Sequence, residues 1–171
     1  MKNLLYLLLL IPSLASSQGW GTRMENNSAQ GKTLLAWVEG KSDNDEKPSP
    51  GLEASFSYST MMTRWHLVGV PFLSCKIDQY PVEIKFAGED KVYKAYGWGE
   101  KKNSSVWIQL LPGNPVDPKE ISEQEFLDKV RAKKTIYIKY ITDCGTFSTE
   151  FPLNGSGRAL NEIYKDVSKE E

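Results

Sequence analysis

The amino-acid sequence predicts a mainly β protein: an antiparallel sandwich or curled sheet, with a short helix near 122–131 and a C-terminal helix packed on the sheet. Three observations carry this. Residues 135–142 (TIYIKYIT) are dense in β-branched and aromatic side chains, which fit a pleated, half-buried surface. In 82–86 and 147–151 apolar residues alternate with polar ones, the period of a strand with one wet face. Leu160, Ile163, Tyr164 and Val167 recur at helical spacing and leave one apolar stripe for a sheet.

Taken in order, residues 24–31 read as a polar, turn-rich piece. Residues 33–39 (TLLAWVE) form the first clear strand, with Trp37 a core candidate. Residues 40–51 (GKSDNDEKPSPG) read as a loop, from their charges, prolines and glycines. Strands are expected over 52–58, 65–70, 72–77, 82–86, 92–98 and 106–111, with 82–86 and 92–98 joined as a hairpin through Gly88-Glu89-Asp90. After a proline-rich connection over 112–119, Ser122-Glu123-Gln124-Glu125 matches a capping box, with Ser122 as cap and Glu125 reaching back. Phe126, Leu127 and Val130 give that helix its apolar stripe. Strand 135–142, apolar on both faces, reads as central. Asp143-Cys144-Gly145 turns the chain into the last strand, which should stop pairing at Pro152 because proline donates no ladder hydrogen bond. Asn154 or Ser156 then caps the closing helix.

The 171 residues fit a single β-rich domain, 18–171, behind a signal peptide at 1–17. Lys2 starts the signal, 4–11 is an unbroken apolar run, Pro12 breaks it, and 13–17 offer small residues for cleavage. The run is far shorter than the roughly 20 residues a helix needs to cross a bilayer, so no membrane span is expected. Export predicts a periplasmic or secreted protein. In an oxidising compartment the two cysteines, Cys75 and Cys144, read as a disulfide. It would close a loop of about 69 residues, worth on the order of 4 kcal/mol in the chain-entropy account.

The net charge of −1 gives no basic excess for nucleic acid. The catalytic inventory is thin. His66 is the only histidine, and there is no nucleophile elbow, phosphate loop, dinucleotide fingerprint or zinc-protease helix. Asp43 and Asp45 sit in an acidic cluster that lacks the glycine and later glutamate of a calcium loop, so neither a metal nor a cofactor is expected. The aromatic residues matter more. Tyr96 and Trp98 share one strand face and Tyr93 points to the other; Tyr96 and Trp107 weigh toward the core, while Trp98, between Gly97 and Gly99, weighs toward partial exposure.

Residues 151–160, Phe-Pro-Leu-Asn-Gly-Ser-Gly-Arg-Ala-Leu, resemble the Phe-x-Leu-x-Gly-x-x-x-Ala-Leu ending of several small bacterial envelope proteins. Among these are the type VI secretion-associated periplasmic proteins and the invasion-associated locus B family. The segment with Leu73, Ser74 and Cys75, followed by Val82, Ile84 and Phe86, is similar to their central strands, and the likeness runs in order from Trp20 to Tyr164. This chain departs by lacking a cysteine after the last helix. The resemblance implies an envelope β-sandwich without established catalytic residues.

The expectation is therefore an exported, non-enzymatic binding or accessory protein of the bacterial envelope, whose partner is another envelope or secreted protein. Its binding surface would use Trp98, Tyr96 and the loop with Asp43 and Asp45. The alternatives are a small secreted hydrolase working through His66 or a carboxylate pair, and a carrier of a small apolar ligand held between sheet and helix.

Overall fold

The computed structural model describes residues 19–27, 31–42, 50–57, 62–70, 79–100, 105–110, 120–142 and 145–167. Ten strands form one antiparallel curled sheet: β1 (Gly21–Asn27), β2 (Gly31–Glu39), β3 (Lys41–Ser42), β4 (Gly51–Ser57), β5 (Met62–Val68), β6 (Gln79–Phe86), β7 (Val92–Glu100), β8 (Ser105–Gln109), β9 (Thr135–Thr142) and β10 (Gly145–Pro152). Helix α1 spans Glu123–Ala132 and α2 spans Ser156–Val167. The strand order is β1-β2-β4-β5-β8-β7-β6-β9-β10-β3. Because β3 continues β2 through Gly40, its two residues tie the last long strand, β10, back toward the start of the sheet. The sheet is a curled half-barrel, and that short ladder brings β10 beside the end of β2.

The concave face holds the core. Alternation along the strands sends Ala36, Val38, Leu52, Trp65, Leu67, Val82, Ile84, Phe86, Tyr93 and Val106 inward, and both helices lay their apolar stripes on them. Phe126 of α1 meets Trp65 and Phe86 edge-on at 4.8 and 5.8 Å between ring centres. Tyr164 of α2 meets Phe56 at 4.9 Å. Trp20 seals one end, with its ring against Trp65 and its indole N–H donating to the Pro152 carbonyl at 3.0 Å. Ser156 does not cap α2; its hydroxyl donates to the Val130 carbonyl at 2.7 Å and joins the two helices.

A cluster of charges fixes α1 to the β6–β7 turn. Gly88 takes φ +80° there, which suits glycine, and Glu89 follows it. The Glu89 carboxylate accepts from Lys129 Nζ at 2.8 and 3.0 Å and pairs with Lys133 at 2.7 Å. Those hydrogen bonds, from Lys129 first and Lys133 next, hold the Glu89 carboxyl down at about 2. Burial alone would depress the Lys129 ammonium, but its bonds to Glu89 and Tyr93 outweigh that and raise it.

Most expected elements appear, some with shifted ends. Of the piece read as turn-rich, 24–31, residues 24–27 are the end of β1 and Gly31 opens β2, one-to-one pairing overriding poor local propensity, while 28–30 lie outside the described residues. The capping box is half formed. Ser122 Oγ accepts from the Glu125 N–H at 3.2 Å, but the Glu125 side chain accepts from the Tyr93 hydroxyl at 3.0 Å rather than reaching back. Strand β9 is central, between β6 and β10, and β10 ends its pairing at Pro152. The stretch expected to be a signal peptide, 1–17, lies outside the described residues, as do Asp43, Asp45, Cys75, Cys144, the connection at 112–119 and the strand expected over 72–77.

Candidate aromatic binding cleft

The convex face of the sheet carries two neighbouring cross-strand rows over β5, β8 and β7. In the first, His66 stands opposite Trp107 and Trp107 opposite Trp98; in the second, Gln109 stands opposite Tyr96, with Arg64 extending the row on β5. All three strands are paired on both sides, so this face is rigid and its backbone groups are already used. Only side chains are free to make contacts.

Trp98 is 45% exposed and Tyr96 is 41% exposed, large values for aromatic residues on central strands. The expectation that Tyr96 belongs to the core is corrected here. Register places it on the outer face, beside Trp98, and only Tyr93, which points the other way, is buried. Trp107 is half-buried, its ring stacked on His66 at 3.9 Å between centres and 16° between planes. Trp98 is held in place by its indole N–H, which donates to Gln109 Oε1 at 2.9 Å. That leaves the Gln109 amide nitrogen turned to other acceptors.

From this platform a cleft of about 860 Å³ runs over the rim of the sheet to the start of α1. Met62, Arg64, Trp98, Trp107, Gln109 and Leu110 line one part; Thr63, Trp65, Ile108 and residues 122–124 line the other. Its size lies within the range of small-molecule and peptide sites, and its lining is mainly apolar with a few polar side chains, the usual balance for such sites. Met62 is 52% exposed at the mouth. Glu123 is committed to the fold, since its carboxylate accepts from the Thr63 N–H at 2.6 Å. The buried Trp65 indole N–H has no hydrogen-bond partner among the described residues. A buried donor left alone carries a cost of about 1–3 kcal/mol, which an acceptor arriving in the cleft would relieve.

Of the residues singled out from sequence, the fold brings together Trp98 and Tyr96 and adds Trp107. His66 faces the convex side but is not part of the cleft lining. Arg64, Gln109, Met62 and the start of α1 were not legible as site residues, because the rim contact between β5, β8 and α1 joins segments far apart in the chain. Alternation in β5 and β8 could have placed Arg64 and Gln109 on the outer face; nothing local could have placed α1 beside them. Among the described residues no group of three or more His, Cys, Asp or Glu side chains is arranged to hold a metal ion, and no helix is long and apolar enough to cross a membrane.

Comparison with known proteins yields no match. No family model, no curated protein and no solved structure matches this chain. The likeness to the envelope families rests on the quoted motifs.

Proposed function

We propose that this chain is an exported, non-enzymatic binding or accessory protein of the bacterial cell envelope, and that it engages another envelope or secreted protein through the platform of Trp98, Tyr96 and Trp107. The observation that carries this reading is the exposure of Trp98 and Tyr96 on a doubly paired strand, with the Trp98 ring pinned by Gln109. A pre-positioned aromatic side chain loses little conformational entropy on binding, and tryptophan and tyrosine dominate the energetics of protein interfaces.

The compartment and the Cys75–Cys144 disulfide belong to the same proposal. Strand β6 runs antiparallel to β9, with Val82 opposite Tyr140, so Gln79 opens β6 and Thr142 closes β9 on one rim. In the sequence Cys75 precedes Gln79 by four residues and Cys144 follows Thr142 by two. The test of the binding reading is photo-crosslinking from position 96 in the envelope of the native host. A discrete adduct that disappears with Trp98→Ser, while the circular dichroism stays unchanged, is expected. Adducts that are equally strong with Trp98→Ser would reject the platform.

The cleft itself favours a second reading, capture of a small apolar ligand at the rim beside α1, because Met62, Trp65, Ile108 and Leu110 give it an apolar lining. Native mass spectrometry of the exported protein discriminates the two. A retained small molecule released on denaturation supports the carrier; a bare protein mass supports the protein-binding reading.

A further inference from the structure

Strand β1 ends the sheet. Its inner edge pairs with β2 along all seven residues, and among the described residues nothing pairs with its outer edge. Proteins usually blunt such edges with proline, a bulge, a very short strand, a covering helix or loop, or charged side chains. Strand β1 has no proline or bulge, its register with β2 is one to one throughout, and the charges it carries are Arg23 and Glu25.

The two faces of β1 differ. Arg23 and Glu25 share the outer face with Trp37 and Glu53, while Met24 stands on the other face, opposite Leu34, and is 54% exposed. On the outer face the charges do not balance. Arg23 is hydrogen-bonded to the buried Glu53 and lies 5.4 Å over the Trp37 ring. Glu25 is exposed and enters no ion pair among the described residues. Burial of Glu53 raises its carboxyl, Arg23 counters that, and Glu25 adds to it. One guanidinium thus faces two carboxylates.

We propose that the outer edge of β1 docks antiparallel on the same edge of a second copy of this chain, about a twofold axis at Met24. In that register each Arg23 stands opposite the partner's Glu25, and the two exposed Met24 side chains meet at the axis. The order Arg-Met-Glu makes the strand complementary to itself, because antiparallel pairing about a central residue reverses the sequence and matches the charge pair twice. A parallel register would set arginine on arginine and glutamate on glutamate. Unlike charges directly opposite on a sheet stabilise it and like charges destabilise it. The guanidinium has five donors, enough for Glu53 and the partner's Glu25 together. The docking supplies the cation that Glu25 lacks and closes the free edge by joining two half-barrels into one continuous sheet, an isologous contact of the kind closed dimers use. A ladder of seven residues a side is small for an interface, so the dimer is weak and depends on concentration.

Sedimentation velocity of the exported chain, over a dilution series reaching about 300 µM, reads the equilibrium directly. The wild type is expected to shift reversibly from monomer to dimer. Glu25→Arg alone and Arg23→Glu alone are each expected to stay monomeric. An equimolar mixture of the two is expected to form a heterodimer, since Arg23 and the new arginine of one chain then face two glutamates of the other. Should Arg23→Glu fail to fold because Glu53 loses its partner, the same substitution in a Glu53→Gln background serves in the mixture. A wild type monomeric throughout, single variants that dimerise like the wild type, or folded variants whose mixture stays monomeric would each overturn the proposal.

Discussion

Gly40 offers a direct test of how the sheet closes. It joins β2 to β3 and stands where the chain passes β10, with its N–H donating to the Pro50 carbonyl at 2.8 Å. A Cβ placed there would lie 2.5 Å from Phe151 Cε1, 2.5 Å from Thr149 Cγ2 and 2.7 Å from Phe151 Cδ1. Comfortable carbon contacts lie at about 3.5–4.0 Å, so Gly40→Ala demands a displacement of about 1 Å. Neither neighbour yields easily: Phe151 is fully buried in the core and Thr149 is 5% exposed. Overpacking of this kind costs about 1–3 kcal/mol, against which alanine recovers about 0.4–1 kcal/mol by restricting the unfolded chain. The expected net loss is about 1–2 kcal/mol, read from the midpoint of urea unfolding followed by tryptophan fluorescence, with faster amide exchange at Lys41 and Thr149. Gly157→Ala is the matched contrast. It lies in α2, where a Cβ meets only Arg131 Cγ at 3.8 Å, so alanine is expected to stabilise by up to about 0.5–1 kcal/mol. A Gly40→Ala protein as stable as the wild type would refute the close passage of β2–β3 over β10.

The remaining predictions address the helix, the charge cluster and the cysteines. Phe126→Ala removes the ring that joins α1 to Trp65 and Phe86, and is expected to cost about 3–5 kcal/mol in the same unfolding assay; a loss under about 1 kcal/mol would mean that α1 does not cover the core. Glu89 is held at about 2, below its ordinary 4.5, so its contribution is fully present above pH 4.5 and drains away as the pH falls toward 2. Glu89→Gln should therefore lower Tm at neutral pH and flatten its fall between pH 4.5 and 2; parallel Tm curves for variant and wild type would contradict this. Cys75 and Cys144 predict a denatured mass two hydrogens below that of the reduced chain, and reduction should destabilise by on the order of 4 kcal/mol.

The sequence by itself determined the strand and helix inventory wherever local signals agreed. Residues 135–142 and 82–86 announced strands through β-branched content and alternation, and Ser122 announced a helix start, because these preferences act over a few residues of chain. Alternation also settled that Tyr93 points away from Tyr96 and Trp98. It did not settle which of those faces is wet, since both carry aromatic side chains; the helices decide that by covering the concave side and leaving Tyr96 and Trp98 outside. Residues 24–27 look polar and weakly β-forming, and became a strand only through the ladder with β2. Tertiary structure alone brought Met62, Arg64, Gln109 and the start of α1 into one cleft, joined Gly40 to Phe151, and set Arg23 over Glu53. The physical reason is range. Propensity and periodicity read neighbours along the chain, whereas strand order, rim contacts and charge balance are fixed by which distant segments pair, and pairing is a property of the whole sheet.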